Sequence, residues 1–433
     1  MAADLLAARP DPRRAGSARL CDLVRADPAR ALALAAARRS RHAHRPRASR
    51  GVADARGLAA ARDQHRQFQL LRRLDRARRR PRPAARPRPP PRRARGVAMT
   101  VAARTLWIDV AKAFAIFFVV FGHVWRGIHD AGLLADARVF AAVDNAIYLF
   151  HMPLFFFLSG LTFSGTRHAW PDFLRRLGRS IVLPYVIWSV ALVAVKQGAG
   201  GTVNHPVGFA DLLGIAYAPI SPFWFFYALF LIQITARLCL PRVGLAGTLA
   251  LAILGFLAHF LNPNPGTPID FALEFLPYFA LGLLFQPLRA RPPRVGPAGA
   301  LTAGLLFLGP PLLCLGWSIG YETLPGRIAA VPMILAASAF CLWFAGTAAG
   351  SAWPIVMAGR ATLAIYCLHI FFTGTTRAVL MKLGVVDVWP QLLVATLLGM
   401  IAPIMIQRAA TRFGVVGWLG FPPLPAAPNL RAA

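Results

Sequence analysis

The sequence has few acidic residues and few cysteines, and each shortage excludes a class of site. Only 17 of its 433 residues are acidic, against 48 that are basic. The cysteines show no CxxC pair or other metal-binding spacing, so we expect neither a disulfide framework nor a metal site. Four of the five fall inside apolar runs, where a cysteine is most simply a small buried hydrophobic residue. The five are Cys21, Cys239, Cys314, Cys341 and Cys367.

Lysine and glutamate are both missing from residues 1–98, which contain 27 arginines and seven aspartates, a net charge of +20. A segment rich in Arg, Ala and Pro cannot form an apolar core, so we predict disorder there. The abrupt change in composition that follows favours a working protein that begins at Met99. The alternatives are an arginine-rich arm that binds anionic lipid or nucleic acid and a transit peptide. Because the charge is concentrated in this segment, we expect no nucleic-acid partner for the rest of the chain.

Long apolar runs dominate the remaining sequence. A hydrophobic content of 57% and a mean hydropathy of +0.52 lie well outside the range of soluble domains. We predict an all-α, polytopic integral membrane protein with about ten transmembrane helices in 99–412, followed by a short tail at 413–433. The predicted spans are 106–126, 139–163, 180–197, 222–240, 245–261, 270–287, 298–318, 328–347, 354–375 and 390–407.

Arginines alternate between the connections of these spans. They cluster after spans two, four, six and ten, whereas the connections 198–221 and 262–269 contain neither Lys nor Arg. The positive-inside rule then predicts a multi-pass protein with both termini in the cytoplasm. Five basic residues near predicted outer ends are exceptions, namely Arg126, Arg138, Arg327, Arg377 and Lys382.

The first span, WIDVAKAFAIFFVVFGH (107–123), contains three ionisable side chains in an apolar helix. Lys112 and His123 are eleven positions apart, so on a helix they lie within about 20° of each other and about 16 Å apart along the axis. Asp109 lies one turn before Lys112. Ionisable groups at membrane depth normally face a bundle interior or a wet cavity, so we interpret the three as a polar track that leads to His123. The alternative is an interfacial Asp–Lys ion pair with a satisfied core histidine.

Three further motifs contain candidate residues. FHMPLFFFLSG (150–160) places His151 and Ser159 around Pro153, which can open the helix. RRLGRSIVLPY (175–185) places Arg176 and Arg179 on one helix face, where arginine forks suit phosphate oxygens. GRATLAIYCLH (359–369) places Tyr366 and His369 one turn apart. Ordinary helix packing and positive-inside bias explain the same residues without any catalytic role.

Taken in order, these motifs resemble those of the acyltransferase family 3 membrane proteins, and most closely the branch similar to fucose 4-O-acetylases. The resemblance implies a bacterial inner-membrane enzyme that moves an acyl group, usually acetyl from acetyl-CoA, to a hydroxyl of a surface or exported glycan. Acetyl-CoA would be a co-substrate, with no tightly bound cofactor, and the partners would be the lipid bilayer, acyl-CoA and a glycan acceptor.

The resemblance also assigns roles to individual residues. The family has a motif in which a basic residue is followed by His after ten intervening residues, and Lys112 and His123 match it. The family's RxxR motif matches Arg176 and Arg179. The family's Trp and Glu-Phe-Tyr element is matched only by Trp224 and Tyr227, without the acid. Asp109 and Glu322 are the candidate substitutes for that acid.

Residues and resemblance together predict a mechanism. CoA phosphates would bind Lys112, Arg176 and Arg179, and His123 would act as general base, with Asp109 as a second catalytic candidate. The predicted supporting residues are His151, Ser159, Trp224, Tyr227, Tyr366 and His369. Two other functions would also place charged residues in the membrane, a secondary transporter and a non-catalytic component of a glycan-export assembly.

Overall fold

The computed structural model describes residues 92–199, 208–220, 222–262 and 265–425. Residues 1–91 of the predicted arginine-rich segment lie outside the described part of the chain. The first described helix begins at Arg92, within the last residues of that segment. The described chain contains helices and connections but no β-strand, as the all-α prediction requires. Its α-helices are α1 (Arg92–Asp130), α2 (Ala137–Tyr148), α3 (His151–Thr162), α4 (Trp170–Leu177), α5 (Leu183–Ala199), α6 (Phe209–Gly214), α7 (Trp224–His259), α8 (Pro268–Leu284), α9 (Gln286–Ala290), α10 (Pro297–Gly316), α11 (Leu324–Phe344), α12 (Trp353–Arg360), α13 (Thr362–Lys382) and α14 (Val388–Arg412).

Eight segments of the described chain are long and apolar enough to cross a membrane. They are Leu106–Asp130, Ala137–Arg167, Trp170–Gly198, Trp224–His259, Pro297–Gly316, Leu324–Phe344, Thr362–Lys382 and Val388–Arg412. Two features account for the difference from the ten predicted spans. The helix α7 contains two of them, because Gly244 (φ 67°, ψ −172°) interrupts it three residues after Pro241. The helix α8 corresponds to a third and has 17 residues.

Apolar side chains cover the outward faces of the long helices. On α10 and α14 they recur at a spacing of three or four residues, which places them on one helix face. A soluble protein would bury such stripes, whereas a bilayer solvates them. The exposed residues of these two stripes are Leu301, Leu305, Leu308, Leu312, Leu393, Leu397, Ile401 and Met405.

Two glycines allow α3 and α8 to cross in backbone contact. A Cβ on Gly160 would lie 2.0 Å from the Phe279 carbonyl oxygen, and one on Gly282 would lie 2.1 Å from that of Phe157. Small residues are the usual means of close helix packing in membranes. The contact places the polar end of α3, with Ser159, against the interior of the bundle.

The second predicted span is broken just before Pro153, close to the position at which this proline was expected to open the helix. The helix α2 ends at Tyr148 and α3 begins at His151, with Phe150 (φ −124°, ψ −31°) between them. Pro153 lies in the first turn of α3. Backbone N–H groups in the first turn of a helix have no partner within that helix, so the proline costs no helical hydrogen bond there. The break brings Tyr148 and His151 towards α1.

The C-terminal tail packs back onto the bundle. Phe421 stacks on Trp188 with ring centroids 5.4 Å apart, and Trp188 Nε1 donates to the Leu419 carbonyl at 3.1 Å. Gln407 Nε2 donates to the Pro422 carbonyl at 2.8 Å. The tail therefore contributes Pro422 to the wall of a cavity described below.

Candidate active site

Two histidines from distant parts of the sequence meet in the bundle. His123 on α1 and His369 on α13 have ring centroids 5.1 Å apart. His369 is fully buried, and its Nδ1 lies 2.9 Å from the carbonyl oxygens of Ile365 and Tyr366. A carbonyl can only accept, so we assign the proton to Nδ1. The Nε2 atom is then an acceptor, and it is buried with no hydrogen-bond partner in the described chain.

The third predicted histidine approaches the same place. His151 Nδ1 donates to the Ile147 carbonyl at 2.8 Å, across the break between α2 and α3. Its ring meets that of Tyr148 edge to face at 4.6 Å. Both His151 and Arg126 interact electrostatically with His123. The structure thus brings together all three predicted histidines, although His151 and His369 also satisfy the carbonyls of their own helices.

A cavity of about 280 Å³ has both Lys112 and Tyr366 in its wall, whereas neither His123 nor His369 is among its lining residues. Its wall is mostly apolar and includes the side chains of Lys112, Ser159, Arg360 and Tyr366. Tyr366 lies one helical turn before His369. Lys112 makes no ion pair or side-chain hydrogen bond within the part of the chain that the structure describes. The remaining wall residues are Met152, Phe155, Leu158, Thr162, Phe225, Phe226, Leu229, Gly359, Thr362, Leu363 and Pro422.

Asp109 pairs with an arginine that was not predicted. Arg360 Nε donates to Asp109 Oδ2 at 3.1 Å. Gly359 makes this possible, because any Cβ there would lie 1.9 Å from the Asp109 carbonyl oxygen. Asp109 precedes His123 by fourteen residues on one helix, which is about 21 Å along the axis. Arg360 is part of the GRATLAIYCLH motif, so the sequence held a signal, but its position at a span end resembled ordinary positive-inside bias.

Arg176 lines a second cavity, of about 210 Å³, that shares Ser159 and Thr162 with the first. Polar groups of His168, Ser180 and Gln233 also face it. Arg179 is exposed and is not among its lining residues. A π-helical turn at Gly178–Val182 changes the helical register between the two arginines, so the predicted common face is altered.

Arg176 and Arg360 line these two adjoining cavities, and we call this part of the bundle the arginine-rich end. Arg237 Nη2 donates to the His168 carbonyl at 3.1 Å there, and the Arg408 guanidinium lies 4.9 Å from the Trp353 ring centroid. The first contact joins the connection after α3 to the part of α7 that precedes Gly244, and the second joins the start of α12 to the last turns of α14. All four regions are predicted to be cytoplasmic.

The other predicted supporting residues make structural contacts. Ser159 Oγ donates to the Phe155 carbonyl at 2.8 Å, and the Tyr366 hydroxyl donates to the Pro222 carbonyl. Trp224 packs on Phe271 with centroids 4.5 Å apart, and the Tyr227 hydroxyl donates to the Ala216 carbonyl at 2.6 Å. Of these four, Ser159 and Tyr366 line the first cavity, and Trp224 and Tyr227 do not.

A polar cluster that the sequence reasoning missed lies one turn beyond His123. Arg126 Nε and Nη2 donate to the two carboxylate oxygens of Asp144 at 2.6 and 2.8 Å. Arg126 Nη2 also lies 3.2 Å from the Tyr321 hydroxyl, and its guanidinium lies 3.4 Å from the Tyr148 ring centroid. The available signal was that Arg126 is a basic residue at a predicted outer end. Glu322, a predicted substitute acid, is exposed.

Comparison with known proteins identifies the family. The acyltransferase domain model of acyltransferase family 3 matches residues 105–408, so the chain belongs to this family of membrane acyltransferases. It is similar to the nodulation protein NolL of Mesorhizobium japonicum, with 25% identity over 361 residues that cover 75% of this chain and 92% of that protein. NolL of Sinorhizobium fredii is 26% identical over 200 residues, covering 45% of this chain and 52% of that protein. No solved structure matches the chain significantly.

Proposed function

We propose that this acyltransferase moves an acetyl group from acetyl-CoA to a hydroxyl of a cell-surface or exported glycan at the bacterial inner membrane. One observation carries the proposal. A cavity lined by two cationic side chains, Lys112 and Arg360, is also lined by Tyr366, one helical turn before the His369 that meets His123 inside the bundle. Its position fits a donor that enters from one membrane face and reacts in the interior.

The entrance suits the charged part of CoA. Lys112 has no anionic partner at hydrogen-bond distance within the described chain, and a cation at membrane depth needs one. Phosphate oxygens supply that partner, and the guanidinium of Arg360 offers a fork for them. Arg176 in the adjoining cavity is positioned for a further phosphate or for the nucleotide. Asp109 holds Arg360, which favours a role at the donor entrance for this carboxylate.

The apolar wall suits the pantetheine arm and its thioester. The arm would run past Ser159 and Tyr366 to present the thioester carbonyl near His123. Exclusion of water from such a site also limits hydrolysis of the thioester.

His123 would act as the general base. The acceptor hydroxyl attacks the thioester carbonyl while its proton passes to the neutral imidazole of His123. The C–S bond then breaks, and the CoA thiolate takes the proton from the imidazolium. His369 Nε2 can accept a hydrogen bond from the other ring nitrogen of His123, which would fix its tautomer and orientation. An acyl-imidazole intermediate on His123 is the second chemistry that this geometry supports.

The glycan acceptor and the membrane are inferred from different sources. The order of the motifs resembles the fucose 4-O-acetylase-like branch, which supports a sugar hydroxyl as acceptor. Both similar proteins come from bacteria, which supports a bacterial inner membrane. The arginine distribution supports a cytoplasmic position for the arginine-rich end and for both termini.

Release of CoA by protein in nanodiscs tests the proposal. With acetyl-CoA and a bacterial glycan extract, the unaltered chain should release free CoA, and His123→Ala should reduce the rate by about a hundredfold or more. Acetyl-CoA binding measured on both preparations should be similar. Well-folded protein that neither binds acetyl-CoA nor releases CoA would refute the proposed donor. Acetyl-histidine detected by mass spectrometry without acceptor would assign the two-step chemistry.

A further inference from the structure

The cluster around Arg126 is built on the side of His123 that faces away from the donor cavity. Arg126 follows His123 by three positions on α1, so the two share a helix face. Lys112 precedes His123 by eleven positions, so it lies in the opposite direction along the helix. A donor entering past Lys112 and a second substrate entering past Arg126 would therefore meet at His123.

Three segments of the chain hold this cluster in place. Asp144 and Tyr148 come from α2, Arg126 from α1, and Tyr321 from the connection between α10 and α11. Asn145 Nδ2 donates to the Ile319 carbonyl at 2.9 Å and fastens that connection to α2. The rings of Tyr148 and Tyr321 have centroids 5.4 Å apart. The arrangement is fixed by hydrogen bonds before any ligand binds.

The cluster remains open, unlike the buried pair of Arg327 and Glu274. The side chain of Arg126 is 34% exposed, and both tyrosines are only partly buried. The Arg327 and Glu274 side chains, in contrast, are 8% and 4% exposed and form a closed ion pair. The Tyr148 hydroxyl makes no hydrogen bond in the described chain and would lie 3.9 Å from a Cβ on Gly122, the neighbour of His123. The Tyr148 hydroxyl thus lies against the helix residue that precedes His123.

We propose that Arg126, Asp144, Tyr148 and Tyr321 form the subsite that binds a neutral sugar ring of the acceptor. The inference rests on the proposed acyl transfer and adds the place where the acceptor binds. Planar Arg and Asp groups and tyrosine hydroxyls make directional hydrogen bonds with adjacent sugar hydroxyls. Guanidinium groups lie against both tyrosine rings, with Arg126 3.4 Å from the Tyr148 centroid and Arg327 5.5 Å from the Tyr321 centroid, so hydrogen bonds rather than ring stacking provide the recognition. Because Asp144 compensates the Arg126 charge, the site favours a neutral sugar over a uronic acid.

Saturation-transfer NMR on protein in nanodiscs tests the subsite without any need for turnover. The probes are methyl hexosides, methyl 6-deoxyhexosides and methyl glucuronide. We expect saturation transfer to at least one neutral glycoside and less to the glucuronide. Tyr148→Phe and Tyr321→Phe should each weaken binding about fivefold to tenfold, which is the effect of losing one neutral hydrogen bond. Tyr217→Phe is the matched control, since Tyr217 is an exposed tyrosine in the connection before α7, predicted to lie on the same membrane side.

The outcomes separate this inference from the proposed function. Equal glycoside binding in Tyr148→Phe, Tyr321→Phe and the unaltered chain would overturn the subsite, as would a loss confined to Tyr217→Phe or no transfer to any neutral glycoside. Acetyl-CoA binding is measured on the same preparations. Glycoside binding that depends on the two tyrosines, in a protein that fails to bind acetyl-CoA, would retain the subsite and refute the proposed donor.

Discussion

Arg360 donates a hydrogen bond from Nε to the Asp109 carboxylate at 3.1 Å, although 251 positions separate the two residues in the sequence. This pair joins α1 to α12, beside the cavity that Arg360 lines. It explains why an aspartate lies one turn before Lys112 on a membrane helix. The carboxylate fixes an arginine in the wall of that cavity.

Arg360→Gln should raise the KM for acetyl-CoA by about tenfold to a hundredfold with little change in kcat. A charged hydrogen bond to phosphate contributes roughly 1.5–3 kcal/mol, and each 1.4 kcal/mol is a factor of ten. Asp109→Asn should raise this KM less, and the double variant should resemble Arg360→Gln alone because the two residues act together. Steady-state kinetics with varied acetyl-CoA measure all three. Arg412→Gln removes an exposed charge at the same end and should change nothing; an equal effect there would point to general surface charge.

Lys112→Met should weaken acetyl-CoA binding by about tenfold and reduce its dependence on salt concentration. The reason is that Lys112 supplies a charge with no competing ion pair in the described chain, so removing it removes a donor contact directly. Isothermal titration at two salt concentrations measures both effects. Lys382→Met, at the far end of α13, is the control. Unchanged affinity in Lys112→Met would place the phosphates elsewhere.

Gly359→Ala should destabilise the protein by about 1–3 kcal/mol, the usual cost of overpacking. A Cβ at this position would lie 1.9 Å from the Asp109 carbonyl oxygen, so α12 must move away from α1. Gly374→Ala on α13 meets nothing within 4 Å and should be neutral or slightly stabilising. Thermal unfolding in one detergent compares the two variants. Equal melting temperatures would show that this contact is looser than described.

His369→Leu should lower kcat by about tenfold to a hundredfold and leave acetyl-CoA binding unchanged, because the acceptor that we propose orients His123 during the reaction is lost. His369→Gln retains an acceptor near the position of Nε2 and should restore most of the rate. Steady-state kinetics on both variants measure kcat and the ratio of kcat to KM. Equal losses in the Leu and Gln variants would show that His369 acts through packing alone.

The sequence predicted features that depend on local pattern. Apolar runs of about 20 residues locate the membrane helices, and a proline predicts the break before His151. Helical periodicity placed Lys112 and His123 on one face, because α1 is continuous between them. The described chain has eight segments that are long and apolar enough to cross a membrane instead of the predicted ten, because two predicted spans are joined in α7 around Gly244 and a third corresponds to the 17-residue α8.

Contacts between distant residues could not be read in the same way. The pairing of Asp109 with Arg360 and of Arg126 with Asp144 depends on which helix faces meet, and hydropathy does not encode that choice. The π-helical turn at Gly178–Val182 has no strong sequence signal. The RxxR spacing therefore did not predict that Arg176 lines a cavity while Arg179 does not. Nor does composition show that a tail after α14 would return to the cavity wall.

The most direct test of the account follows the acetyl group itself. Labelled acetyl-CoA is supplied to the full chain in nanodiscs with a bacterial glycan extract, and label is measured in the glycan before and after mild alkali, which cleaves esters. We expect alkali-labile label in the glycan with the unaltered chain and almost none with His123→Gln. Label that survives alkali, or equal labelling by His123→Gln, would contradict O-acyl transfer through His123.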